Sequence, residues 1–184
     1  MISKWYGKDL RLGVLGGGQL GRMLIQAAND LNIHIHCLDP DQNAPCSEIA
    51  HSFSCGSLTD YMTVLNFGSD KHLITVEIEN VNVSALRALE NEGVNVYPAA
   101  DTLAIIQNKA KQKLFYSEHG LPTASFTRYT NSEELTTAIE NEAQTLPFVW
   151  KSAQFGYDGK GVKVIRTLSD MKALPNVECI AEDL

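Results

Sequence analysis

The chain has 184 residues, 44% of them hydrophobic and 20% charged, with a net charge of −7. That length holds one large or two small domains around a buried core. The acidic balance argues against nucleic acid as the main partner, because that class displays a basic surface able to displace phosphate counterions, and no apolar run approaches the roughly 20 residues that span a bilayer.

Residues 1–14 lack the apolar core of a signal peptide, so a cytoplasmic protein is expected. Residues 12–15 form an apolar strand, Gly16 to Gly18 break it, and Leu20, Met23, Leu24, Ala27, Ala28 and Leu31 then recur at helical spacing. A second strand over residues 33–38 ends at Asp39-Pro40, a loop runs to Ser57, and a helix spans residues 60–67. Residues 73–78 read as a strand covered on both faces. Ser84 is placed to cap a short helix that ends at Gly93, and residues 94–97 supply a fourth strand before Pro98. Strands alternating with helices predict a parallel, doubly wound sheet.

The pattern changes near residues 98–105. Asp101 is a candidate N-cap for one helix continuing to about His119, before the stop signals Gly120 and Pro122. Asn131 and Glu134 have the spacing of a capping box. Strands over residues 148–152, 162–166 and 178–182, with a glycine loop after the first and a short helix after the second, predict a separate α+β unit.

Cys37, Cys46, Cys55 and Cys179 contain no Cys-x-x-Cys pair, so free thiols are expected. His34, His36 and Cys37 suggest a metal only weakly, because alternation along a strand groups the two histidines and turns Cys37 away. No metal ligand is assigned.

Two glycine segments carry candidate chemistry. Gly16-x-Gly18-x-x-Gly21 between strand and helix, with Asp39 ending the next strand, matches a dinucleotide fingerprint. The same pattern serves NAD, another phosphate, or tight helix–sheet packing, and Pro40 restricts the backbone of that acid. Later, Lys151 precedes a loop running from Phe155 through Gly156, Tyr157, Asp158, Gly159, Lys160 and Gly161 to Val162. Too few residues separate its glycines for a Walker A motif. Such glycines permit close backbone approach to an anion, although Asp158-Gly159 is equally a signal for a tight hairpin turn. A lysine among Phe148, Val149 and Trp150 must snorkel or find an anion. Glu77 and Glu79 end a strand where open α/β sheets place ligands, or are simply solvated there. Lys109, beside Lys111 and Lys113, reads on its own as one of several solvated lysines.

Taken together, Leu15-Gly-Gly-Gly-Gln-Leu-Gly-Arg-Met-Leu24, Leu38-Asp-Pro40, Thr75-Val-Glu-Ile-Glu-Asn-Val81, Gln107-Asn-Lys-Ala-Lys-Gln-Lys113, Leu121-Pro-Thr-Ala124 and Gly156-Tyr-Asp-Gly-Lys-Gly161 resemble, in order, the N-terminal half of 5-(carboxyamino)imidazole ribonucleotide synthases, the PurK-type enzymes of the ATP-grasp superfamily. The resemblance implies a Rossmann-like parallel-sheet pre-ATP-grasp domain over residues 1–100. An α+β ATP-grasp small lobe, truncated, would follow over residues 101–184.

It further implies a ligase that activates bicarbonate with ATP as carboxyphosphate and passes the carboxyl group to 5-aminoimidazole ribonucleotide in purine biosynthesis. ATP would be held by Lys109, by Lys151, by the loop Gly156, Tyr157, Asp158, Gly159, Lys160, Gly161 and Val162, and by Glu182, Asp183 and Leu184 at the adenine hinge. Within that loop Tyr157, Asp158 and Lys160 would be catalytic. Gly18, Gln19 and Leu20, with Glu77, would meet the substrate.

Such enzymes are about twice this length. Their magnesium ligands and further basic residues fall beyond the position of Leu184, so a fragment with little turnover and weak ATP binding is expected. The resemblance also implies a homodimer at full length, with ATP, bicarbonate and aminoimidazole ribonucleotide as partners, and neither nucleic acid nor membrane. A formate-dependent glycinamide ribonucleotide transformylase, an NAD-binding oxidoreductase domain and a non-catalytic binding module are the alternatives.

Overall fold

The structure, a computed structural model, describes residues 9–154 and 161–184. The chain divides into two compact units, Met1–Ala104 and Ile105–Leu184.

In the first unit β1 (Arg11–Leu15), α1 (Gln19–Asp30), β2 (His34–Asp39), β3 (Ser52–Cys55), α2 (Tyr61–Gly68), β4 (Leu73–Val76), α3 (Val83–Asn91) and β5 (Asn95–Tyr97) alternate along the chain. The strands form one parallel sheet in the order β3-β2-β1-β4-β5. Successive side chains of a strand point to opposite faces. Leu15, Leu38 and Ile74 therefore join Val64, Leu86 and Leu89 from α2 and α3 on one side. Val14, Ile35 and Cys37 join Ile25 and Ala28 of α1 on the other. This is the expected doubly wound arrangement.

The details correct several sequence expectations. The loop to Ser57 contains β3, a mostly exposed edge strand. Asn82, not Ser84, caps α3 by accepting from the Ala85 N–H at 2.9 Å. On α1 the buried residues are Gly21, Ile25 and Ala28, whereas Leu20, Met23, Leu24 and Leu31 are exposed. The apolar spacing there spans more of the helix than the sheet covers.

Instead of one helix from Asp101, two are present, α4 (Ala100–Ile106) and α5 (Lys109–Glu118). Asn108 breaks the run because its side chain accepts from the Lys111 N–H at 2.9 Å and so caps α5. Asp101 lies in the first turn of α4 and pairs with Arg87.

The second unit adds β6 (Phe126–Tyr129), α6 (Ser132–Glu140), β7 (Phe148–Ser152), β8 (Val162–Ile165), a 3-10 helix (Leu168–Ala173) and β9 (Cys179–Glu182). The sheet is antiparallel, in the order β6-β9-β7-β8, and its edge strand β6 adds to the three strands that the sequence predicts. Asn131 caps α6 as expected, but the Glu134 carboxylate turns back to the Thr130 N–H and hydroxyl, so the box is not reciprocal with Asn131. Phe148, Trp150, Cys179 and Ala181 face α6 and the 3-10 helix. By alternation Lys151 and Glu182 face the opposite side, where Ala110 of α5 packs with Ala153, Ile180 and Phe126.

Candidate functional sites

In the first unit the glycine turn after β1 is tied from every direction. Gly16 has φ +103° and donates to the Leu38 carbonyl at 2.9 Å. The Gly17 N–H donates to Asp39 Oδ2 at 2.7 Å, and the Asp41 N–H takes Asp39 Oδ1 at 2.8 Å. Both carboxylate oxygens of Asp39 are thus engaged in holding the turn and its own loop. The acid that a dinucleotide reading assigns to a ribose is already committed.

Gly18 caps α1 without any side chain. Glu77, just past β4, supplies the missing acceptor, since its Oε1 lies 3.3 Å from the Leu20 N–H. A Cβ on Gly18 would fall 2.6 Å from that oxygen. Gly18, Gln19, Leu20 and Glu77 are therefore brought together, with Leu20 65% exposed at the rim. Glu77 is half-buried over the turn, not a freely solvated strand end.

In the second unit the α5 face of the sheet carries a buried ionic group. Glu182 Oε1 pairs with Lys113 and Oε2 with Lys151. The Glu182 side chain is 9% exposed, Lys113 11% and Lys151 26%. Burial pushes the Glu182 carboxyl upward, but the hydrogen bonds and charges of the two lysines outweigh it and hold the group below its usual range. A carboxyl depressed by folding contributes stability at neutral pH that is lost as the pH falls through its folded value. Two ammonium groups against one carboxylate leave a local surplus of one positive charge.

The strand reading of Lys151 holds, and its amine finds an anion, though an internal one. Lys113 overturns the reading of solvated lysines on α5. It is buried, and sequence offered no sign of a partner 69 positions away. Lys109 begins α5, where its N–H donates to the Ala153 carbonyl at 2.7 Å. The start of that helix is thereby fixed where the chain leaves β7.

Gly161 accepts from the Ser152 N–H at 2.9 Å, and Val162 pairs with Lys151 across β7 and β8. Gly156, Tyr157, Asp158, Gly159 and Lys160 lie outside the described residues. Asp183 and Leu184 are exposed beyond β9, and the Asp183 N–H donates to the Ser125 carbonyl. A surface hollow beside α6, lined by Ser132, Glu133, Thr136, Thr137, Leu174 and Asn176, contains none of these groups. Among the described residues no His, Cys, Asp and Glu cluster could hold a metal ion, and no helix is long and apolar enough to cross a membrane.

The sequence pattern of the ribonucleotide synthetase preATP-grasp domain matches residues 10–107. The chain belongs to that family. The ATP-grasp domain pattern matches residues 114–183. Phosphoribosylaminoimidazole carboxylase of Vigna aconitifolia is 35% identical over 165 residues, covering 90% of this chain and 29% of its own length. N5-carboxyaminoimidazole ribonucleotide synthase of Staphylococcus aureus strain MRSA252 is 30% identical over 175 residues, 93% of this chain and 46% of its own.

Two crystal structures of the Aspergillus clavatus synthase superpose on the chain. The one complexed with ATP gives a TM-score of 0.84 at 33% identity, covering 95% of this chain and 47% of that one. The complex with ADP and 5-aminoimidazole ribonucleotide gives 0.82 at 31% identity, covering 98% and 47%. The chain spans about half the length of the synthases it matches.

Proposed function

We propose that this chain provides the substrate-phosphate loop and one wall of the ATP site of an enzyme that carboxylates 5-aminoimidazole ribonucleotide. The observation that carries this reading is the pair of lysines converging on buried Glu182, with its surplus positive charge where Lys151 pairs with Val162 across β7 and β8. Solved synthases with ATP, and with ADP and the aminoimidazole nucleotide, support the choice of ligands.

Bicarbonate oxygen attacks the γ-phosphorus of ATP, ADP leaves, and carboxyphosphate forms. The substrate amine then attacks the carboxyl carbon, inorganic phosphate departs, and the nitrogen loses its proton. This chemistry brings anions together, so fixed cations and backbone dipoles must offset the developing charge. Lys151 and Lys109 are assigned to the ATP phosphates, the loop through Gly161 and Val162 to closure over them, and the backbone of Glu182, Asp183 and Leu184 to the adenine edge. The Gly18, Gln19 and Leu20 backbone and Glu77 are assigned to the ribonucleotide.

Magnesium does not fit the described residues. Glu182 is committed to two lysines, and no carboxylate cluster accompanies it. No step is routed through the metal. The committed oxygens of Asp39 speak against NAD.

The test measures ADP release by the full protein with bicarbonate and aminoimidazole ribonucleotide, each omitted in turn. Dependence on both is expected, together with a loss of about tenfold or more in kcat/KM for Lys151→Met. Release that requires formate in place of bicarbonate, or tight NADH binding without any response to ATP, would overturn the assignment.

A further inference from the structure

The three donors of the Lys113 ammonium are all engaged. They reach the Thr123 hydroxyl at 2.5 Å, the Ala124 carbonyl at 3.4 Å and Glu182 Oε1. The group also lies 5.8 Å from the centre of the Phe126 ring. Nothing remains of it for a ligand. Lys151 differs: among the described residues its ammonium bonds only Glu182, and its side chain is more than twice as exposed.

Glu182 therefore stands between a cation held by three partners and one for which, among the described residues, Glu182 is the single hydrogen-bond partner. A phosphate arriving at Lys151 must compete with Glu182 for the same ammonium. If Lys151 were the sole counter-charge of a buried carboxylate, turning away would leave that carboxylate unpaired in a poorly solvated place, which opposes the movement. With Lys113 on the other oxygen, Glu182 stays neutralised when Lys151 departs.

We propose that Lys113 is a positioning residue that holds Glu182 and so releases Lys151 to bind a nucleotide phosphate. The inference deepens the ATP reading above and rests on it.

ATP binding is measured by titration calorimetry on the full protein for the parent, Lys113→Met, Glu182→Gln and the double variant. Removing Lys113 should weaken binding about tenfold, the scale of a coupling between linked groups. The double variant, with no carboxylate left to restrain Lys151, should return to within about twofold of Glu182→Gln, the limit of ordinary additivity. A merely structural lysine would instead leave the double variant weaker than Glu182→Gln by the full loss seen in Lys113→Met.

Unchanged affinity in Lys113→Met, or a double variant as weak as Lys113→Met alone, overturns the proposal. If circular dichroism shows Lys113→Met unfolded, Glu182→Gln against the parent decides, with tripolyphosphate as the probe. Tighter binding by Glu182→Gln is expected there, and equal or weaker binding overturns the proposal. A full-length parent that binds no ATP removes the nucleotide reading itself, and that result is visible before any variant is compared.

Discussion

At the scale of single residues, Gly16 shows how backbone and site are joined. Its φ of +103° is open to glycine alone, and a Cβ there would lie 2.8 Å from Glu77 Oε2. Gly93 has a similar φ of +91° with nothing within 4 Å, so it isolates the backbone contribution. Gly93→Ala should cost about 1–3 kcal/mol from strain alone, and Gly16→Ala should cost more, because the Glu77 carboxylate must also move. Urea unfolding of both variants provides the comparison. Equal losses would mean that Glu77 does not rest against the turn. The glycines were legible in the sequence because positive φ and close approach require that residue type. The partners of Asp39 and Lys113 were not, since side-chain commitment depends on contacts between residues far apart in the chain.

Elements were legible where burial imposes a period. β1, α2 and β7 fell within a residue or so of their expected bounds because their apolar residues are packed on at least one face. β3 and β6 were not predicted because each is a four-residue sheet edge paired on one side, too short for a period to stand out from the loop around it. The break between α4 and α5 did leave a signal in Asn108, a residue that favours caps over helix interiors.

Asn108 also belongs to the architecture of the lysine site. It is 3% exposed, it caps the helix that carries Lys109 and Lys113, and its amide donates to Glu178 Oε2 at 3.4 Å. Asn108→Ala should lower stability by about 0.5–2 kcal/mol, with Asn108→Ser recovering most of the loss. Thermal unfolding followed by Trp150 fluorescence in a Trp5→Phe background reads the effect. A serine variant no better than alanine would show that the cap is not what Asn108 contributes.

For the whole molecule, the decisive feature is that the two units have separate cores. Leu89 is 0% exposed within the cluster formed by Leu15, Leu38 and Ile74, and Leu135 is 0% exposed within the cluster that contains Trp150. Truncation of a buried leucine to alanine costs about 2–5 kcal/mol through lost transfer energy and the cavity left behind. That loss acts first on the core that contains the cavity.

Leu135→Ala should therefore lower the midpoint of the Trp150 transition, again with Trp5 replaced by Phe. Leu89→Ala should leave that midpoint in place while lowering part of the far-ultraviolet dichroism curve. The two signals would follow one shared curve if the cores were continuous, because a domain built on a single core unfolds all-or-none. Equal displacement of both signals by either substitution would mean that the units unfold as one cooperative body. Separate displacement would show that the parallel-sheet unit and the lysine-bearing unit are independent folding modules.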